Sequence, residues 1–216
     1  MIFKAETAER VAKNLLQIKA IKLNNSNPFT WASGLKSPIY CDNRIALSYP
    51  KIRTFIRQEL VKSITEKFGD VDVIAGVATA GIPQGALVAQ EMGLPFIYVR
   101  SSKKSHGMTN MIEGVLHSGQ SVMVVEDLIS TGKSSLAAVD ALQEAGANVK
   151  GMVSIFTYGL PIADENFKKA KCKLVSLSNY EYLVKTGIAE NSISEKDQDS
   201  LLKWKENPKE WSDSKQ

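Results

Sequence analysis

Apolar positions recur along the chain in two periods, and the order in which these periods alternate predicts an architecture. Between Thr7 and Leu23, Val11, Leu15 and Ile18 recur at helical spacing until NNSNP breaks the pattern at 24–28, so an N-terminal helix is predicted. From Ser48, with Pro50 in the first turn, Ile52, Ile56, Leu60, Ile64 and Phe68 repeat every fourth residue and put one apolar stripe on an amphipathic helix. Element types then alternate. VDVIAGV (71–77) reads as a strand, Ile82 to Met92 as a helix closed by Gly93, and Leu94 to Val99 as a strand. SVMVVED (121–127) is the next strand, followed by a helix from Thr131 to Ala145, a strand from Val149 to Tyr158, a helix over Ala163 to Ala170 and a last strand in KCKLVSLSNY. Near-continuous apolar strands separated by helices imply an α/β fold with a parallel sheet covered on both faces. Ligands of such sheets bind beyond the carboxyl ends of the strands, which is where candidate chemistry is sought.

Composition narrows the class. At 216 residues, 44% hydrophobic and 23% charged, the chain can build one core as a single domain, and disordered, collagen-like and channel readings fall away. A net charge of +4 is too mild for a protein that coats nucleic-acid phosphates. Cys41 and Cys172 have no C-x-x-C or His partner spacing, and Lys4, Glu6, Glu9 and Arg10 interrupt the N-terminus, so the expectation is a cytoplasmic protein without disulfide, zinc site, secretory signal or membrane span. His117 reads as a surface residue before a strand and Cys172 as core.

The most informative stretch is VMVVEDLISTGKSS (122–135), where an apolar strand runs into two carboxylates and turns through Ser-Thr-Gly into a helix. Helix-start N–H groups, a glycine that permits close approach, and the hydroxyls of Ser130, Thr131 and Ser134 make a cradle for one phosphate. Glu126 and Asp127 beside it would repel an oligophosphate but accept hydrogen bonds from vicinal sugar hydroxyls, so a sugar carrying a terminal phosphate is implied. Gly132, Lys133 and Ser134 match the end of a Walker A loop, but Asp127 stands where that motif needs glycine.

VVEDLISTGKSS resembles the phosphoribosyl-diphosphate (PRPP) signature of the type I phosphoribosyltransferases. That resemblance implies a five-stranded, mainly parallel sheet flanked by helices with a small N-terminal hood. Glu126 and Asp127 would bind the ribose hydroxyls, with Leu128, Ile129, Ser130, Thr131, Gly132, Lys133 and Ser134 around the 5-phosphate.

Two further segments resemble orotate phosphoribosyltransferases. RSSKKSHG (100–107) is similar to that family's R-x-x-x-K-x-H-G loop, which implies that Arg100, Lys104 and His106 contact PRPP and that Lys104, His106 and Asp127 are catalytic. FTWASGLKSPIYCDNR (29–44) is similar to the family's hood segment, which implies that Tyr40, Cys41 and Ser130 hold orotate. The implied organisation is one domain, 1–216, with a hood over 1–45, a core over 46–189 containing a mobile loop at 101–114, and a charged C-terminal helix or tail over 190–216. The family further implies Mg²⁺, held mainly through PRPP and water with no direct protein ligand, and a homodimer whose loop acts in the neighbouring subunit's site. No nucleic-acid or membrane partner is expected.

This sequence departs from many members at Ala32, Ser101, Thr79–Ala80 and Thr157–Tyr158, where they carry Lys, a second loop cation, Tyr-Lys and an orotate-contacting Arg. The expected activity is transfer of the 5-phosphoribosyl group from PRPP to orotate, giving orotidine 5-phosphate and pyrophosphate in pyrimidine biosynthesis. A purine or xanthine phosphoribosyltransferase and a non-catalytic PRPP sensor are the alternatives.

Overall fold

A computed structural model describes residues 1–31, 34–100 and 111–215. Helix α1 (Ala5–Gln17) buries Val11, Ala12 and Leu15 completely, as its periodicity requires. It stops six residues short of the predicted end. Lys19 takes a left-handed φ of 57°, and Ile21–Leu23 becomes β1, because pairing with a later strand outweighs the residual helical spacing of Ile18 and Ile21. The hood segment adds the hairpin β2 (Phe29–Thr30) and β3 (Lys36–Ser37), then β4 (Ile39–Cys41) antiparallel to β1.

A 3₁₀ turn over Asn43–Ser48, capped by the Asp42 side chain, leads into α2 (Pro50–Phe68), whose Ile56, Leu60 and Ile64 are fully buried. There follow β5 (Val73–Val77), α3 (Gly81–Met92), β6 (Phe96–Val99), β7 (Ile112–Glu113), β8 (Ser121–Ile129), α4 (Lys133–Glu144), β9 (Asn148–Thr157), α5 (Pro161–Lys169) and β10 (Leu174–Asn179). Among the described residues the main sheet has the order β10-β9-β8-β5-β6-β7, with the first five parallel and β7 added antiparallel at the edge. Ile112 pairs with Val99 and Glu113 with Tyr98, so the end of the stretch expected as a mobile loop is sheet.

Side chains alternate across β8 with period two. Met123 and Val125 join Ile56, Leu60, Val153 and Leu177 in the core on one face, while Val122 and Val124 meet Val139, Leu142 and Phe167 on the other.

The C-terminal part is more structured than its charge suggests. Helix α6 (Tyr180–Ala189) follows β10 directly, started by Asn179, whose side chain accepts from the Tyr182 N–H at 3.0 Å. The apolar pattern of the sequence predicts no helix over these residues. Helices α7 (Gln198–Glu206) and α8 (Pro208–Asp213) then pack inward through Leu201, Trp204 and Trp211, while the charges point outward.

Candidate active site

The sheet order reverses between β5 and β8. From β5 the chain moves outward to β6, then crosses back to lay β8 on the other side. The crevice at their carboxyl ends is the switch point where open α/β sheets bind ligands. One detail of register opens it further. β8 pairs with β5 only as far as Gly76–Val125 but with β9 as far as Ile129–Thr157. Glu126 and Asp127, expected at the strand tip, therefore lie on an overhang that continues to Ile129, with one edge left free by β5.

Glu126 is 6% exposed, and its two oxygens accept from the Asp127 N–H at 3.0 Å and from Ser135 Oγ at 2.8 Å. Gly81, the first residue of α3, makes room for it: a Cβ there would stand 2.6 Å from the Val125 carbonyl oxygen and 3.4 Å from Glu126 Oε1. Burial pushes both carboxyls up. Glu126 is raised the further, with the Asp127 charge adding to its burial, whereas the bond between the two carboxyls lowers Asp127. Burial thus disfavours the charged form of both carboxyls, of Glu126 more than of Asp127.

The Ser-Thr-Gly turn does lead into a helix, which begins at Lys133 and not Thr131. Gly132 caps it in the left-handed region at φ 79°. The turn is held from both sides, by Asn166 Nδ2 donating to the Thr131 carbonyl at 2.9 Å and by the Leu136 N–H donating to the Gly132 carbonyl at 2.8 Å. Ser130 and Thr131 are half-buried, while Lys133 and Ser134 are exposed beside the outward-pointing N–H groups of the first helical turn. Ile129 contributes no side chain here, since it is fully buried and its carbonyl accepts from the Tyr158 N–H at 3.0 Å. Leu128 packs partly against the core. Arg100, at the end of β6, pairs with Glu113 at 3.6 Å and shares with Ser134 and Ala78 the lining of a cavity of about 50 Å³. Lys104 and His106, together with Ala32, lie outside the described residues.

The hood supplies the opposite wall. Asn43, 1% exposed, donates from Nδ2 to the Asp127 carbonyl at 2.8 Å and accepts from Cys41 Sγ at 3.3 Å, which ties the predicted base-side residues to the carboxylate overhang. Burial, reinforced by the Asp127 and Asp42 charges, pushes the Cys41 thiol well up, so it stays protonated and is no nucleophile. Tyr40 is 43% exposed, with its ring 5.7 Å from Phe29. Tyr158 is 4% exposed and stacks on Trp31 with centroids 5.3 Å apart; burial also raises its phenol.

Sequence reasoning missed Asn43, Ser135 and Asn166, which position the site, and Arg44. Arg44 is held in a two-bond fork to Asp42 at 2.7 and 3.0 Å, which lowers Asp42, and its charge acts on Asp127. The only signal was the polar run Asp42-Asn43-Arg44 closing the hood segment. Among the described residues no group of three His, Cys, Asp or Glu could hold a metal ion, and no helix is long and apolar enough to cross a membrane.

Comparison with known proteins agrees with this geometry. Residues 49–191 match the phosphoribosyl transferase domain. A Phocaeicola vulgatus protein named orotate phosphoribosyltransferase is 56% identical over 207 residues, covering 95% of this chain and 98% of its own. The structure of orotate phosphoribosyltransferase from Aeropyrum pernix superposes with a TM-score of 0.74 at 26% identity, over 85% of this chain and 99% of that one. That of Leishmania donovani UMP synthase gives 0.76 at 25% identity, over 91% of this chain but 41% of that longer one. With the phosphoribosyl transferase domain matched over most of the chain and a relative of 56% identity aligned over nearly its whole length, the chain belongs to the orotate phosphoribosyltransferase family.

Proposed function

We infer that the protein transfers the 5-phosphoribosyl group of PRPP to orotate, releasing pyrophosphate and forming orotidine 5-phosphate for pyrimidine biosynthesis. The observation that carries this reading is the Glu126–Asp127 pair set on the β8 overhang directly beside the Ser130–Ser134 turn. The N-terminus of α4 binds the 5-phosphate through its free N–H groups. Asp127, with Glu126 behind it, accepts from the ribose hydroxyls and offsets positive charge as the bond from the anomeric carbon to diphosphate breaks. Orotate, held by Ser130 and the backbone at Tyr40 and Cys41, supplies the lone pair of its ring nitrogen to the same carbon and gives up that nitrogen's proton. Arg100, with Lys104 and His106 from the adjoining motif, steadies the departing diphosphate.

An Mg²⁺ would be held mainly through PRPP and water, with no direct protein ligand. When bound, the ion neutralises part of the diphosphate charge. The chain's own residues orient the sugar and base and exclude water.

The test is direct. Protein, Mg²⁺ and PRPP are mixed with orotate, adenine, hypoxanthine or xanthine, and base consumption is followed. Orotate alone should be consumed. Turnover of a purine in its place would reassign the base, and no turnover with any base would favour a PRPP sensor.

We further propose a cytoplasmic homodimer in which the 101–114 segment serves the partner's site. Mixing Lys104→Ala protein with Asp127→Asn protein should then restore activity, since one hybrid site carries both native residues. With subunit exchange verified, absence of rescue rejects the shared site.

A further inference from the structure

The base-side wall rests on a hairpin too small to hold itself. β2 and β3 pair through two residues each, and an isolated two-stranded hairpin of that size is at best marginal in water. Its support comes from the far end of the chain. Ser212 Oγ, on a residue 2% exposed in α8, accepts from the Lys36 N–H of β3 at 2.8 Å across 176 positions of sequence. Ser200 Oγ of α7 donates to Asn25 Oδ1 at 2.8 Å and accepts from Trp211 Nε1 at 3.0 Å. Asn25 Nδ2 in turn donates to Asp197 Oδ1 at 2.7 Å.

Beneath these bonds Trp204, completely buried, meets Trp31 edge-on at 5.6 Å and Tyr158 at 5.7 Å. Trp31 Nε1 donates to the Ile39 carbonyl at 3.2 Å, one residue before Tyr40 and Cys41. A continuous path of contacts thus runs from α7 and α8 to the backbone assigned to the base. The phosphate cradle is built from β8, α4 and α5, and none of the bonds made by Ser200, Ser212 and Asn25 reaches it; only Tyr158, on which Trp204 packs, touches its base, through the Ile129 carbonyl.

We propose that helices α7 and α8 are a positioning element for the base: Ser200 and Ser212 fix the hood, and so set affinity for orotate while leaving PRPP binding unchanged. The inference rests on the orotate reading above. It gives the charged tail a function that its composition conceals.

The experiment compares Ser212→Ala, Ser200→Ala and Asn25→Ala with the wild type and with Ser200→Thr, which keeps the hydroxyl at a half-buried position. Ser212→Ala removes one hydrogen bond to the hood, while Ser200→Ala and Asn25→Ala remove two each, so the KM for orotate should rise about three- to tenfold for the first and at least as much for the other two. KM for PRPP and kcat should stay within about twofold, the signature of lost binding to one substrate alone. Ser200→Thr should restore the wild-type value. Thermal unfolding of each variant checks the fold, and Asn25→Ala, at a half-buried hood position, keeps the test open if a helix variant does not fold.

An orotate KM equal to wild type in all three, whatever the melting temperature, would overturn the inference, as would equal rises for both substrates. Wild-type turnover separates the two levels. If wild type uses orotate and the variants bind it equally well, only the positioning role fails; if wild type does not use orotate, both readings fall.

Discussion

Asp127→Asn is expected to lower kcat/KM for PRPP by about 10³-fold, the scale seen when one preorganised group facing transition-state charge is removed. The exchange is isosteric, and the bond that ties this position to the hood uses the Asp127 backbone carbonyl, with Asn43 Nδ2 at 2.8 Å. The fold should therefore survive, and the loss should fall on chemistry. A pH signature accompanies it. Both native carboxyls are raised by burial, while ribose hydroxyls need acceptors, so PRPP binding should favour the ionised pair and release protons over the range in which the pair titrates. Affinity for PRPP should rise with pH through the pair's raised apparent value.

Stability runs the other way. Between the ordinary carboxylate range and that raised value the folded state binds more protons than the unfolded state, so the free energy of unfolding falls as pH rises. Asp127→Asn removes the charge that lifts Glu126 beyond its burial, and should shrink both effects without abolishing them. Calorimetric titration of PRPP in buffers of different ionisation heat measures the proton. Uptake instead of release, or a variant within about tenfold of wild-type kcat/KM, would remove Asp127 from the role assigned to it.

What the sequence discloses here follows from range. The α/β alternation is legible because its signals are local: the stripe Ile56, Leu60, Ile64 needs no knowledge of what it packs against, and the Ser-Thr-Gly turn carries its own conformational demand at Gly132. The overhang is not local. Whether Asp127 sits at a strand tip or on an exposed edge depends on where β5 stops, some fifty residues earlier. Asn43 looked like loop polarity because its partner is a backbone carbonyl 84 positions away.

Helix α6 was hidden for another reason. SLSNYEYL passes from strand to helix with no Gly or Pro between, and Asn179 as its cap was the one sign of the change. The C-terminal helix is legible from 190–216, but its five basic and seven acidic side chains do not disclose where it packs, because Trp204 and Trp211, which decide its position, meet a hood that only the tertiary fold brings near.

Gly132→Ala should damage both the fold and the site. The position combines two independent demands. Its φ of 79° lies in the left-handed region, where a side chain costs about 1–2 kcal/mol. A Cβ would also stand 2.6 Å from Phe167 Cε2, a close contact in a well-packed core that costs roughly 1–3 kcal/mol to relieve. Together these predict a fall in melting temperature of roughly 10 °C for a chain of this size.

The functional loss should be larger than the structural one. Relief of the clash moves the turn that presents the phosphate N–H groups, and a displacement near 1 Å at a substrate-positioning element costs on the order of 100-fold in kcat/KM. Gly93→Ala separates the two demands, because Gly93 has a φ of 66° with nothing within 4 Å of its absent Cβ, and it should lose only the smaller part of the stability and none of the activity. Adding Phe167→Ala to Gly132→Ala should recover PRPP affinity if the clash displaces the cradle. If the double variant is no better than the single, the left-handed backbone alone sets the position of the phosphate turn.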